Sequence, residues 1–191
     1  MLPGDLLVGG PSSHQLPPDD LPYDRLLDFE QGGAAISDPS KGLLGYIWSC
    51  RAVGDSIQIR RGSDAWAELL TFTAPYEIAF TFDQNMRPLV AIATRAKALS
   101  LYWYDPVVGA YTVTALGTGR CPRMALDDKR PFSNQYSDAI LGYVKGNNLV
   151  YRQQRDRFLT EYHAMANVPG HAKLKQLGMC SNLRVQFTVS S

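Results

Sequence analysis

PYEIAFTFDQNMRPLVAIATRAKALSLYWYDP, residues 75–106, decides the fold. In EIAFTF, Ile78, Phe80 and Phe82 alternate with Glu77, Ala79 and Thr81, the period of two of a strand with one face buried. DQNMRP turns the chain: Asp83 and Asn85 favour turns through local side-chain hydrogen bonds, and Pro88 biases Arg87 away from the helical region. LVAIAT is a second apolar run. ALSLYWY, Ala98 to Tyr104, is rich in residues that suit a pleated surface, and Asp105-Pro106 stops it ahead of a fourth strand, YTVTAL.

The same plan recurs on both sides. Downstream, Asp128-Lys129-Arg130-Pro131 stands where the central unit has Asp83 to Pro88. AILGYV follows in the place of LVAIAT, Gly146-Asn147-Asn148 makes the tight turn, LVYRQQ matches LSLYWY, and FLTEYHA matches YTVTAL. Upstream, RLLDFEQGG, LLGYIWSCR, SIQIRRG and WAELLTF follow the same order, with Val53-Gly54-Asp55-Ser56 as a hairpin turn. Units of roughly 45 residues, each a four-stranded antiparallel meander, have the length of a propeller blade. The expected class is therefore all-β: about three blade-like units, propeller-like or sandwich, over residues 25–73, 77–117 and 122–165, plus a C-terminal strand. Within that strand, LRVQFTV, Leu183, Val185, Phe187 and Val189 point inward and Arg184, Gln186 and Thr188 outward.

Ahead of this 25–191 domain, residues 1–24 carry five prolines and read as an extended arm. Such a segment is either a frayed terminus or an arm that orders by lying against a neighbouring subunit, for which Leu2, Leu6, Leu7, Val8, Leu16 and Leu21 would provide apolar anchors. The segment Gln31–Gly42 reads as an exposed connection, Phe132–Asp138 as an inserted loop, and Gly117-Thr118-Gly119 as a loop closing the central unit. Around Ala172–Leu177 the pattern allows a short helical turn. Trp48 and Trp103 fall at matching places in two units, and at least one is expected between sheets. Arg60 and Arg61 read as solvated surface charges, and Arg152, Arg155 and Arg157 as charges that protect an exposed edge or hairpin, with phosphate or sugar binding as the alternative.

A formal net charge of +1 gives no reason to expect a nucleic-acid partner. The start, Met-Leu-Pro-Gly-Asp, does not read as a signal peptide, and no apolar run is long enough to span a bilayer, so no membrane partner is expected. Cys50, Cys121 and Cys180 are far apart and odd in number, as reduced structural thiols of a protein made in a cytoplasm would be. His14, His163 and His171 are scattered, so no metal site is expected. With no nucleophile elbow, phosphate loop or dinucleotide fingerprint, no catalytic residue and no cofactor is assigned. Asp19-Asp20 and Asp127-Asp128 are adjacent pairs; side chains at adjacent strand positions face opposite ways, and the second pair reads better as turn residues.

At FDQNMRPLVAIAT, and again at RMALDDKRPF with DAILGYVKGNNLVYRQQRDRFLTEY, the chain resembles β-rich tail proteins of tailed bacteriophages built from blade-like units. The resemblance covers about Pro75 to His163 and rests on strand and turn patterns. It implies a non-enzymatic part of the virion, assembled in the bacterial host cytoplasm: an adaptor, nozzle or fibre-attachment component of the tail. Its partners would be other tail or connector proteins and further copies of itself. A different reading makes the chain a carbohydrate-binding receptor-recognition domain, with Tyr102, Trp103 and Tyr104 stacking on sugar rings.

Overall fold

The computed structural model describes residues 33–36, 46–83, 85, 87–126, 139–179 and 185–190. The arm 1–24, all but Gly33 of the strand expected at 25–33, most of the 31–42 loop, Asp127 to Asp138, Leu183, Arg184, His14 and Cys180 lie outside the described residues. Among the described residues, every regular element apart from a 3-10 turn at Gln154–Asp156 is a strand, and every pairing is antiparallel. The protein is all-β, and its sheets are open rather than closed into a barrel.

The first sheet holds β1 (Gly33–Ile36), β2 (Tyr46–Val53), β3 (Ser56–Arg61) and β4 (Ala67–Thr71) in chain order. The second holds β5 (Pro75–Phe82), β6 (Pro88–Thr94), β7 (Ala98–Asp105) and β8 (Ala110–Thr118). The third holds β9 (Arg120–Leu126), β10 (Ala139–Lys145), β11 (Asn148–Gln153) and β12 (Tyr162–Met165). A terminal hairpin pairs β13 (Lys173–Met179) with β14 (Val185–Ser190).

These four layers stack face on face, and the core lies between them. Cys50, Ala52 and Ile57 of the first sheet meet Ile78, Phe80, Phe82, Val90 and Ile92 of the second. The other face of the second sheet, with Leu89, Leu101 and Trp103, packs on Leu141, Tyr143, Val150 and Phe158 of the third. Leu174, Phe187 and Val189 of the hairpin cover the far face of the third sheet. Gly142 in β10 makes that approach possible, because a β-carbon there would stand 3.1 Å from Leu174 and 3.3 Å from Phe187. The hairpin is also pinned by hydrogen bonds: Arg120 donates to the carbonyls of Ala172 and Gly170, and buried Arg123 donates to that of Lys175 at 2.8 Å.

Irregularities repeat from sheet to sheet. The third and fourth strands slip register opposite the second and third residues of the third strand every time: Ile57/Gln58, Leu99/Ser100 and Leu149/Val150. Such bulges bend and twist a strand, so the three sheets are bent at a matching place. First strands lie together, β1 beside β5, β5 against β9 and β9 against β13.

Several expectations need correction. β5 is not half-buried: Ala79 and Thr81 are as enclosed as Ile78 and Phe80, because the second sheet is sandwiched between two others. Gly33–Ile36, placed in an exposed connection by its glycines, is a strand paired with Tyr46–Ser49; its small residues are held by pairing with β2 rather than by their own propensity. Ala172–Leu177 contains no helical turn. The spacing of Leu174 and Leu177 looked helical, but Lys175 is a bulge residue, which resets the alternation so that both leucines point inward. Val185 and Phe187 do point inward, packed against Ala125, Ile140 and Leu177. Trp48 is in a second strand and Trp103 in a third, so their places do not match; Trp103 is the one buried between sheets.

Gly117-Thr118-Gly119 is no loop. β8 runs through Thr118, and Gly119 alone separates it from β9, its amide donating to the Lys97 carbonyl at 2.8 Å. A β-carbon on Gly119 would stand 2.6 Å from the Tyr143 ring and 2.8 Å from Leu99. Both side chains are fully buried, so Gly119→Ala is expected to cost about 1–3 kcal/mol by overpacking. Denaturant unfolding measures it; an unchanged midpoint would show that the two sheets part there freely.

Candidate functional site: an aromatic surface and the clamp beside it

The β7–β8 hairpin carries two unlike faces. Trp103 points toward the third sheet, where its indole N–H donates to Thr114 Oγ1 at 3.1 Å and its ring meets Phe158 edge-on at 5.3 Å. Tyr102 and Tyr104 point the other way. Register places Tyr102 opposite Val113 and Tyr104 opposite Tyr111, so all four side chains share one face. Tyr102 and Tyr111 stack with centroids 4.9 Å apart and planes 7° from parallel, and Tyr104 meets Tyr111 edge-on at 5.5 Å.

Arg87 extends this surface. Its guanidinium lies 4.0 Å from the Tyr104 ring centre, and its Nε donates to Asp83 Oδ2 at 2.8 Å. Asp83 is the buried organiser of the β5–β6 turn, accepting from the amides of Asn85 and Arg87 through Oδ1. Burial is the main reason that the Tyr102 and Tyr111 phenols are shifted upward, so both rings stay neutral at physiological pH. Beyond them the hairpin exposes Val113, Val107 and Val108, at 52, 72 and 60%.

A clamp locks this hairpin to the third sheet. Arg157 pairs with Asp105 Oδ2 at 2.5 Å, and Asp105 Oδ1 accepts the Val107 amide at 2.9 Å. The hydrogen bond from Arg157 is the leading reason that the Asp105 carboxyl lies below its ordinary range. Arg157 and Phe158 both adopt left-handed backbone, φ 60° and 58°, which turns one side chain to Asp105 and the other into the core under Trp103. Glu161 is the hub of the clamp. It accepts from Tyr143 Oη at 2.7 Å, Lys145 Nζ at 2.9 Å and Arg152 at 3.1 Å. Arg152 further donates to Tyr143 Oη and to the carbonyls of Phe158 and Leu159. Burial opposes the charge on Glu161, but the hydrogen bonds from Lys145 and Tyr143 outweigh it and hold the carboxyl below its usual value. Burial pushes the Tyr143 phenol up to about 12, so it acts as a donor.

Arg152 and Arg157 are thus internal ties and not edge charges. Arg60 is likewise half-buried, 4.8 Å from the Trp66 ring, and Arg61 pairs with Asp64 at 3.2 Å. Cys50 and Cys121 are buried free thiols, both raised above their ordinary pKa chiefly by burial. His163 and His171 sit exposed on separate segments, and no three His, Cys, Asp or Glu side chains converge among the described residues. Of the sugar-stacking trio, Trp103 is turned into the core, and the two tyrosines are already occupied, Tyr102 by Tyr111 and Tyr104 by Arg87 and Tyr111. Tyr111 was missed by sequence reasoning, although a turn at Pro106–Gly109 in the hairpin register would have set it opposite Tyr104. Comparison with known proteins finds no matching family, curated protein or solved structure.

Proposed function

We propose that this protein is a non-enzymatic structural component of a tailed-bacteriophage virion, placed in the tail as an adaptor, nozzle or fibre-attachment protein and working as an oligomer. The observation that carries the reading is the β7–β8 surface. Tyr111, packed on both Tyr102 and Tyr104, stands with them and Arg87 beside exposed valines, and tyrosine and arginine are among the residue types enriched in protein contacts. Their geometry is fixed before any partner arrives, which lowers the entropy lost on binding. The stacked meanders, with first strands together and bulges in step, suit blade-like units of the kind the resemblance to tail proteins implies. The resemblance spans the second and third sheets, which share a core and are joined by the Arg157–Asp105 pair.

Val108→Asp and Val113→Asp test the reading. Both positions are more than half exposed, so the unfolding free energy should move by less than about 0.5 kcal/mol. Incorporation into particles, measured by complementing a phage lacking the gene, should fall at least tenfold for the double variant. Normal incorporation would remove this surface from assembly.

A further inference from the structure

We propose that the outer edge of β8 pairs antiparallel with β8 of a second copy of this chain, about a two-fold axis at Thr112. β8 is the fourth strand of its sheet, and among the described residues it pairs with β7 alone. Its other side therefore presents main-chain N–H and C=O groups to whatever strand can reach them, and folded proteins blunt such edges with charge, proline, shortness or a bulge. The other two fourth strands are blunted. β4 has five residues and carries Glu68, and β12 has four, with a slip between His163 and Met165. β8 runs for nine residues, AYTVTALGT, without a charge or a proline, and its ladder slips only past Ala115, toward its far end.

What fits that edge is another β8. An uncharged strand meets its own copy without like-charge repulsion. Pairing the same edge of two copies in parallel would turn the tyrosine face of one to the opposite side of the sheet, whereas antiparallel pairing about a two-fold axis keeps both faces on one side and covers both edges at once. Among antiparallel registers, those centred on a residue set like face against like face. Centring on Thr112 places Tyr111 opposite Val113 of the second copy, twice over, an aromatic against a β-branched side chain; centring on Val113 would leave Tyr111 opposite Ala115. Tyr111 and Val113 are 39 and 52% exposed, so the pairing covers apolar surface that one chain leaves in water. The stacked Tyr102 and Tyr111 of the two copies then make one continuous face across the axis. The inference rests on the reading of this hairpin as an assembly surface and names its first partner, a copy of itself.

Sedimentation equilibrium of the purified full chain tests the pairing, and a monomer–dimer equilibrium is the expected result. Val113→Asp and Val113→Lys, at a position more than half exposed, should each keep the wild-type circular-dichroism spectrum and weaken dimerisation by about tenfold or more, because like charges then lie across the axis. Mixed in equal amounts, the two variants should dimerise again, since Asp and Lys then stand diagonally across Thr112. The outward amides of residues 110–114 should exchange more slowly in the wild-type dimer than in Val113→Asp. A monomer at every concentration, a dimer indifferent to both variants, or a mixture no better than either variant alone would overturn the pairing. A dimer whose β8 amides exchange as freely as the monomer's would also overturn it, by placing the contact on side chains alone. Particle incorporation tests the tail role separately: a dimer that stays out of particles would remove that role and keep the pairing, and a monomer that enters them would do the reverse.

Discussion

Trp103→Ala is expected to destabilise the protein by about 3–5 kcal/mol, the cost typical of truncating a large buried aromatic. Trp103 is 2% exposed and lies at the junction of the second and third sheets. Its ring supports Phe158, which a left-handed backbone drives into the core, and its N–H is spent on Thr114. Alanine would remove the ring from both sheets and leave Phe158 facing a void that a β-sheet cannot collapse to fill. Trp48→Ala should cost less, since Trp48 is only partly buried and packs edge-on against Phe82 at the margin of its cluster. Denaturant unfolding of both variants gives the comparison. Equal losses would mean that the two interfaces are equally packed, against the burial difference described here.

Glu161→Gln is the second large effect, and it carries a pH signature. The substitution keeps the shape but removes the charge that gathers Lys145, Arg152 and Tyr143, and hydrogen bonds to charged groups contribute about 1.5–3 kcal/mol. A carboxyl whose pKa is depressed by folding stabilises the protein above its unfolded pKa, about 4.3 for glutamate, and loses that contribution as pH falls through the folded value. The stability gap between the wild-type protein and Glu161→Gln should therefore be full at pH 7 and shrink in acid below about pH 4. Asp105, also depressed, should release Arg157 on the same acid side. A gap that stays constant down to pH 3 would show that Glu161 acts through its shape alone.

How much of this was legible in the sequence depends on how local its cause is. The strands of residues 75–118 could be read because alternation and turn chemistry are local, and Asp83 was recognisable as a turn former before its hydrogen bonds were seen. β13 was obscured by its bulge, since one extra residue at Lys175 converts a period of two into an apparent spacing of three. The clamp could not be read at all. Arg157 finds Asp105 from 52 residues away, and nothing in YRQQRDRF distinguishes an arginine bound to another sheet from one in solvent. The parity of Tyr102, Trp103 and Tyr104 was visible, but which face would be buried depended on the third sheet arriving over Trp103.

The tail assignment is tested most directly by quantitative mass spectrometry of purified phage particles, with density from a particle reconstruction to place the chain. The chain is expected in a fixed small number of copies, located in the tail or at its junction with the head, with the β7–β8 tyrosine surface against another subunit. Complete absence of the chain from purified, infectious particles would contradict it.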